Sequence, residues 1–188
     1  MKPDWDETGF TSMMPLRRYW HRRRFSIISQ WALGRVLDVG CGSSVIVQKI
    51  PNSIGVDISR DKLDYLNGRG MPLIQADARS LPFRSDSFDT VISSQVIEHI
   101  KEQAGIFDEM RRVLKPRGRL IIGTPDYATL WRVIEPVYGI CAPDAYRDYH
   151  VTRYTRKTLS RVLECFGFVI ESYKYIAYAE LIMCCRNG

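Results

Sequence analysis

Between Arg35 and Gly123 the chain changes its hydrophobic period again and again, and this alternation constrains the fold more than any single residue does. Arg35–Val39 is a short apolar run that ends at a glycine-rich turn, and Ser44–Ile50 follows it with helical character. Ser53–Ile58 reads as a second strand and Arg60–Arg69 as a second helix. Pro72–Ala76 makes a third strand, and Phe88–Ser93 a fourth with Val91 and Ile92 at its centre. Residues 102–114 carry Ile106, Phe107, Met110, Val113 and Leu114 at helical spacing, and Arg119–Gly123 is the fifth strand. Short apolar strands alternating with helices imply a parallel sheet covered on both faces.

The flanks read differently. Leu16 to about Leu33 suggests a helix, with Gly34 as its stop, and residues 1–14 read as a poorly ordered start. After Pro125 the pattern loosens into an aromatic, proline-punctuated insertion over 126–150 that contains Trp131, Pro136, Tyr138, Tyr146 and Tyr149. Thr155–Cys165 resumes as a helix, with Thr155 in the capping position and Gly167 past its end. Phe168–Ile176 and Ala179–Cys185 are β-rich, and the short break between them pairs them as an antiparallel hairpin. At 188 residues the whole chain is expected to form one domain, with 1–34 as a basic helical extension.

Within this frame the segment Val36-Leu37-Asp38-Val39-Gly40-Cys41-Gly42-Ser43-Ser44 carries the strongest chemical signal. A buried strand entering Gly-x-Gly and then a helix leaves room for a ligand to approach the backbone. A lone Gly-x-Gly is equally a plain tight turn. Asp57 ends the next strand, where a carboxylate can accept both hydroxyls of a ribose, and Asp77 ends the third, where an acceptor can meet the amino group of adenine. The dinucleotide fingerprint places a third glycine at position 45, which here is Val45, so a nicotinamide dinucleotide is disfavoured.

These residues belong to a longer series. Leu37-Asp38-Val39-Gly40-Cys41-Gly42, Gly55-Val56-Asp57-Ile58-Ser59 and Ala76-Asp77-Ala78 leading to Leu81-Pro82-Phe83 come first. Ser87-Phe88-Asp89-Thr90-Val91-Ile92, Val96-Ile97-Glu98-His99-Ile100 and Val113-Leu114-Lys115-Pro116-Arg117-Gly118-Arg119-Leu120 complete it. In this order they resemble the class I S-adenosylmethionine-dependent methyltransferases of the type 11 group, which includes quinone-biosynthesis and related small-molecule enzymes. The resemblance is dense over about 35–125 and looser over 150–188. It implies an α/β, Rossmann-like, seven-stranded, mostly parallel sheet with an antiparallel last strand and helices on both faces.

It also implies a division of labour. Asp38 and Gly40 would line the methionine end of S-adenosylmethionine, with Gly42 giving backbone access and Cys41 a steric role. Asp57 would hold the ribose diol and Ile58 would lie against the adenine. Asp77 would meet adenine N6, with the Ala78 backbone assisting, and Ser94 and Gln95 would border the methyl-transfer site. Ser44 stands where the family usually has a further glycine, which implies altered loop packing with binding retained. The implied reaction is methyl transfer to a small-molecule or lipid-like acceptor. Two alternatives stand beside it: a catalytically silent cofactor-binding or interaction protein, and a nucleic-acid methyltransferase.

The chemistry asks for a base only where the acceptor must lose a proton. His99 and His150 are the candidates, and a structural role weighs at least as much for each. No metal-ligand spacing is evident, so no metal is expected. The five cysteines are odd in number and show no C-x-x-C spacing, which fits neither a disulfide framework nor a zinc site.

The charge balance of 27 Lys+Arg against 21 Asp+Glu is concentrated in Arg17-Arg18-Tyr19-Trp20-His21-Arg22-Arg23-Arg24. A solvated helix face is the plain reading of that run. The functional reading is a helix that draws in an anionic or lipid-like acceptor and allows peripheral membrane contact. The charge would suit nucleic acid as well, but no RNA-binding module or acceptor motif accompanies it. The acidic start Asp4-Trp5-Asp6-Glu7 does not suit a signal peptide. No apolar run approaches the ~18–20 residues of a membrane span. The protein is therefore expected in the cytoplasm without a transmembrane segment.

Overall fold

The structure is a computed structural model that describes residues 15–42, 45–67, 70–101, 104–141 and 150–188. Helix α1 (Pro15–Trp31) leads into β1 (Val36–Val39), α2 (Val45–Lys49), β2 (Ser53–Asp57), α3 (Arg60–Asn67) and β3 (Leu73–Gln75). Then come β4 (Phe88–Ser94), a 3₁₀ turn (Ile97–His99), α4 (Ala104–Val113) and β5 (Leu114–Pro125). Helix α5 (Trp131–Cys141), α6 (Arg156–Cys165), β6 (Phe168–Ile176) and β7 (Glu180–Asn187) end the chain.

The strands form one seven-stranded sheet in the order β3-β2-β1-β4-β5-β7-β6. β1 pairs in parallel with β2 and β4, β2 with β3, and β4 with β5, whereas β7 runs antiparallel to both β5 and β6. The order reverses at β1 and β4, whose carboxyl ends diverge to leave the crevice in which open α/β sheets bind ligands. The expected topology, including the antiparallel last strand, is the one observed.

Each face of the sheet has its own core. Ile27 and Ile28 of α1 pack on Val36, Ile92, Ile121, Ile182 and Cys184. On the other face Ile106, Phe107 and Met110 of α4 join Leu159 and Leu163 of α6 over Leu37, Val91, Leu120, Leu181 and Met183. Adjacent strand residues alternate between these two clusters, as the two-residue period of a strand requires. The thiols of Cys184 and Cys185 lie inside these cores, and burial pushes them up to about 11 and about 12. Neither is a nucleophile at neutral pH.

The clearest differences from the sequence-based expectation fall after β4. Strand β5 begins at Leu114 and not at Arg119: Leu114 pairs with Phe88 and Arg119 with Thr90, and the Lys-Pro-Arg-Gly stretch between them is a bulge in which Arg117 takes φ +62°. The helix before it accordingly ends at Val113. The expected loose insertion contains α5, a helix that tolerates Pro136 in its middle. Pro136 masked that helix in the sequence, since proline removes a hydrogen bond from a helix interior. Residues 1–14, Ser43, Ser44, Tyr146 and Tyr149 lie outside the described residues.

The cap on α6 has the expected form with an unexpected partner. Thr155 Oγ1 accepts from the Thr158 backbone N–H at 3.2 Å, and Thr158 Oγ1 accepts from the Thr155 N–H at 2.8 Å. A threonine thus fills the place that Glu or Gln takes in the usual reciprocal cap. Thr155→Ala is expected to lower stability by about 1 kcal/mol, read by urea denaturation as a lower midpoint at unchanged slope.

Candidate cofactor site and the adjoining buried cluster

The loop after β1 is tied to the end of β2. The N–H groups of Gly40 and Cys41 both donate to the Val56 carbonyl, at 2.7 and 2.9 Å. Gly40 holds φ +72°, and a Cβ built on it would stand 2.3 Å from Val96 Cγ2. Both the left-handed backbone and the close approach of Val96 therefore require glycine at this position. The Cys41 thiol is buried in a small cluster with Val47 and Leu63.

Asp57 organises the rest. Only 7% exposed, it accepts from the Gly42 N–H through Oδ2 and from the Ser59 N–H through Oδ1, both at 2.8 Å. Each oxygen keeps a second lone pair for a hydroxyl donor. Ile58, the next residue, is 65% exposed, an apolar platform beside a fixed carboxylate. Gln75 Nε2 donates to the Ile58 carbonyl at 3.1 Å and holds that platform on β3.

Asp38 is buried in β1, between Gly55 of β2 and Ile92 of β4. At the end of β4, Gln95 takes φ +61°, and its N–H donates to the Gly123 carbonyl at 2.8 Å. A non-glycine residue in that region is sparsely populated and such strain gathers at functional sites. Ser94 Oγ and Gln95 Nε2 are buried with no hydrogen-bond partner among the described residues. Buried polar atoms are normally satisfied, so this pair is suited to a polar ligand. Two glycines, a fixed diol acceptor, an apolar platform and two orphaned polar groups together fit S-adenosylmethionine.

Comparison with known proteins points the same way. A family model described as a methyltransferase domain matches residues 37–122. The chain is similar to methyltransferases over that span, somewhat less than half of its length. It is 28% identical over 177 residues to a demethylmenaquinone methyltransferase of Mycobacterium bovis, spanning 92% of this chain and 70% of that one. It is 34% identical over 93 residues to an uncharacterized protein of Methanocaldococcus jannaschii, covering 50% of this chain but only 45% of the relative. Among solved structures, a Pyrococcus horikoshii protein superposes with a TM-score of 0.74 at 21% identity over 96% of both chains, which matches the fold.

The carboxylate expected at adenine N6 already has a partner of its own. Asp77, assigned to adenine N6, is gripped by Arg79, whose Nε lies 3.0 Å from Oδ1 and whose backbone N–H donates to the same oxygen at 2.9 Å. The guanidinium hydrogen bonds hold the Asp77 carboxyl below the usual carboxylate range. Asp77 reaches an amino group only by sharing lone pairs that Arg79 now uses. Sequence reasoning missed this because both residues sit in one exposed turn that looks like solvated charge.

The two candidate histidines, His99 and His150, come together, with ring centroids 5.0 Å apart. The join is made by backbone: the N–H groups of Val151 and Thr152 donate to the Glu98 carbonyl at 2.9 and 3.0 Å. His150 is then set by Tyr127 and Glu135. The Tyr127 hydroxyl donates to Glu135 Oε1 at 2.6 Å and lies 2.6 Å from His150 Nδ1. With its one proton committed to Glu135, the hydroxyl accepts from Nδ1–H, which assigns the ligand lone pair of His150 to Nε2. Burial, followed by the neighbouring His99, holds the His150 imidazole below its ordinary value, so it is neutral at pH 7.

Glu98 and its surroundings were not foreseen. Its side chain is fully buried, and burial pushes its carboxyl up to about 8. On the α1 side, Glu180 is also buried and takes Arg24 in a two-pronged contact, Nε to Oε1 at 2.7 Å and Nη2 to Oε2 at 2.8 Å, with Trp20 Nε1 donating to Oε2. The basic run is therefore divided: Arg24 turns inward as an anchor, while Arg18, Tyr19, Arg22 and Arg23 face outward. No local spacing signals these pairs, because the partners lie on elements far apart in sequence.

Proposed function

We propose that the protein transfers the methyl group of S-adenosylmethionine to a small-molecule or lipid-like acceptor. The observation that carries this is the Asp57 carboxylate, fixed by Gly42 and Ser59 beside the exposed Ile58. S-adenosylmethionine supplies a methyl group on a sulfonium that needs no further activation. What remains for the protein is to hold two molecules in one geometry, which is worth about 7–11 kcal/mol of a barrier.

Asp57 would bind the ribose hydroxyls, and Ile58 would cover one adenine face. Ala78 would assist at the adenine edge, while Asp77 needs Arg79 to yield. Asp38, Gly40 and Gly42 would receive the methionine end, and Ser94 and Gln95 would satisfy their orphaned groups at the transfer site. His150, neutral and directed by Tyr127 and Glu135, is the better placed of the two histidines to accept an acceptor proton. The demethylmenaquinone enzyme among its relatives supports an acceptor of apolar, ring-bearing type. The outward Arg18, Arg22 and Arg23 and the 53% exposed Tyr19 suit an anionic or membrane-associated acceptor better than nucleic acid, given no further RNA-binding element. No described helix is long and apolar enough to cross a membrane, and we place the reaction in the cytoplasm or at a membrane surface.

The test is calorimetric titration with S-adenosylmethionine, followed by mass-spectrometric detection of methylated product across quinols, phenols, anionic lipids and short RNAs. Saturable binding with methylation of a quinol, phenol or lipid is expected. Binding without turnover on any of these would favour the silent alternative, and methylated RNA the nucleic-acid one.

A further inference from the structure

We propose that Glu98, His99 and His150 form a binding site for a divalent transition cation. One oxygen of Glu98 and one nitrogen from each histidine all lie within 4.8 Å of one another. A first-row cation with bonds of about 2.1 Å needs donors about 3–4 Å apart, so small side-chain rotations close the set. Two imidazoles and one carboxylate are the donors of catalytic zinc and of mononuclear iron(II) sites, and they leave coordination positions open. A purely oxygen-seeking cation such as calcium would not select two imidazoles.

The Glu98 carboxylate is the second, independent observation. It is fully buried, and among the described residues the Thr124 hydroxyl and its own backbone N–H are the donors near its oxygens, neither in full hydrogen-bond geometry. A buried carboxylate left in this condition costs several kcal/mol unless a proton or a cation neutralises it. Arg24 is the nearby positive group, and it is committed to Glu180. A cation between Glu98 and the histidines would neutralise the carboxylate in place of a proton.

The surroundings have the form of an outer shell. Tyr127 and Glu135 hold Nδ1 of His150, which orients the ring and leaves Nε2 to the cation, as carboxylate–histidine–metal relays do. The backbone bonds from Val151 and Thr152 to Glu98 fix the two halves of the site against each other. The site follows Ser94 and Gln95 along the chain. The cation site does not depend on the methyl-transfer reading, and His150 is a ligand and not a base while the site is occupied.

The experiment uses chelator-treated full-length protein in a Cys165→Ser background, because the Cys165 thiol is exposed and free. Zinc is titrated by calorimetry, and cobalt(II) by its visible ligand-field absorption. One equivalent should bind, with nitrogen- and oxygen-type cobalt bands and a rise in melting temperature. Glu98→Gln, His99→Ala and His150→Ala should each weaken binding at least tenfold, and Tyr127→Phe by about 10–100-fold through His150. His99 is exposed, so His99→Ala tests the site without threatening the fold. Absence of stoichiometric binding, or unchanged affinity in folded His99→Ala, overturns the proposal. Asp57→Ala should lose S-adenosylmethionine and keep the cation, so that failure of one reading is distinguishable from failure of the other.

Discussion

Asp57→Ala should lower the affinity for S-adenosylmethionine by about a hundredfold. Two charge-assisted hydrogen bonds to a ribose diol are lost, at about 1.5 kcal/mol each on the low side of such bonds. The variant should also be less stable by about 1–3 kcal/mol, because the Gly42 and Ser59 N–H groups lose their acceptor. These effects separate in Asp57→Asn. Its single carbonyl oxygen can serve one N–H, so part of the stability returns, while the charge that strengthens both ribose bonds does not. Calorimetric titration beside urea denaturation reads both quantities. An Asp57→Ala protein that binds S-adenosylmethionine as tightly as wild type would remove the cofactor assignment.

The position of Asp57 shows where the sequence was informative. Strand ends are legible because a run such as Gly55-Val56-Asp57 is apolar until its last residue. A polar residue there belongs to the carboxyl edge of the sheet, where ligands bind. The parallel sheet follows from the same alternation, and the final hairpin from a short break. What a pattern of types cannot carry is pairing between distant elements. His99 and His150 were legible as two separate candidates, but their meeting depends on backbone bonds from Val151 and Thr152 to Glu98. Asp77 was legible as an acceptor, while the competing grip of Arg79 depends on the shape of one turn. Helix α5 was hidden by Pro136, and Arg24 was read with its neighbours until the helix turned it toward Glu180.

That inward turn sets the largest stability effect expected in the molecule. Glu180 begins β7, opposite Pro125 of β5 and Ile176 of β6, and its side chain is 2% exposed. Glu180→Ala leaves the Arg24 guanidinium largely buried without its carboxylate and strips Trp20 of its acceptor. Removing one member of a buried ion pair costs about 3–5 kcal/mol, because the remaining charge is uncompensated. Urea denaturation of Glu180→Ala should show that loss, and the fluorescence of Trp20, which packs near Trp131, should shift with it. The double variant Arg24→Met with Glu180→Leu should recover most of the stability, since well-packed apolar pairs replace buried ion pairs at little cost. Recovery would identify the pair as a device for orientation. It ties α1 to β7 on the side where Trp20 meets Trp131, whose ring in turn approaches His150, so the double variant should fold well and still lose methyl-transfer rate on an acceptor that this wall positions. Full rate with full stability would show that the acceptor does not lean on α1.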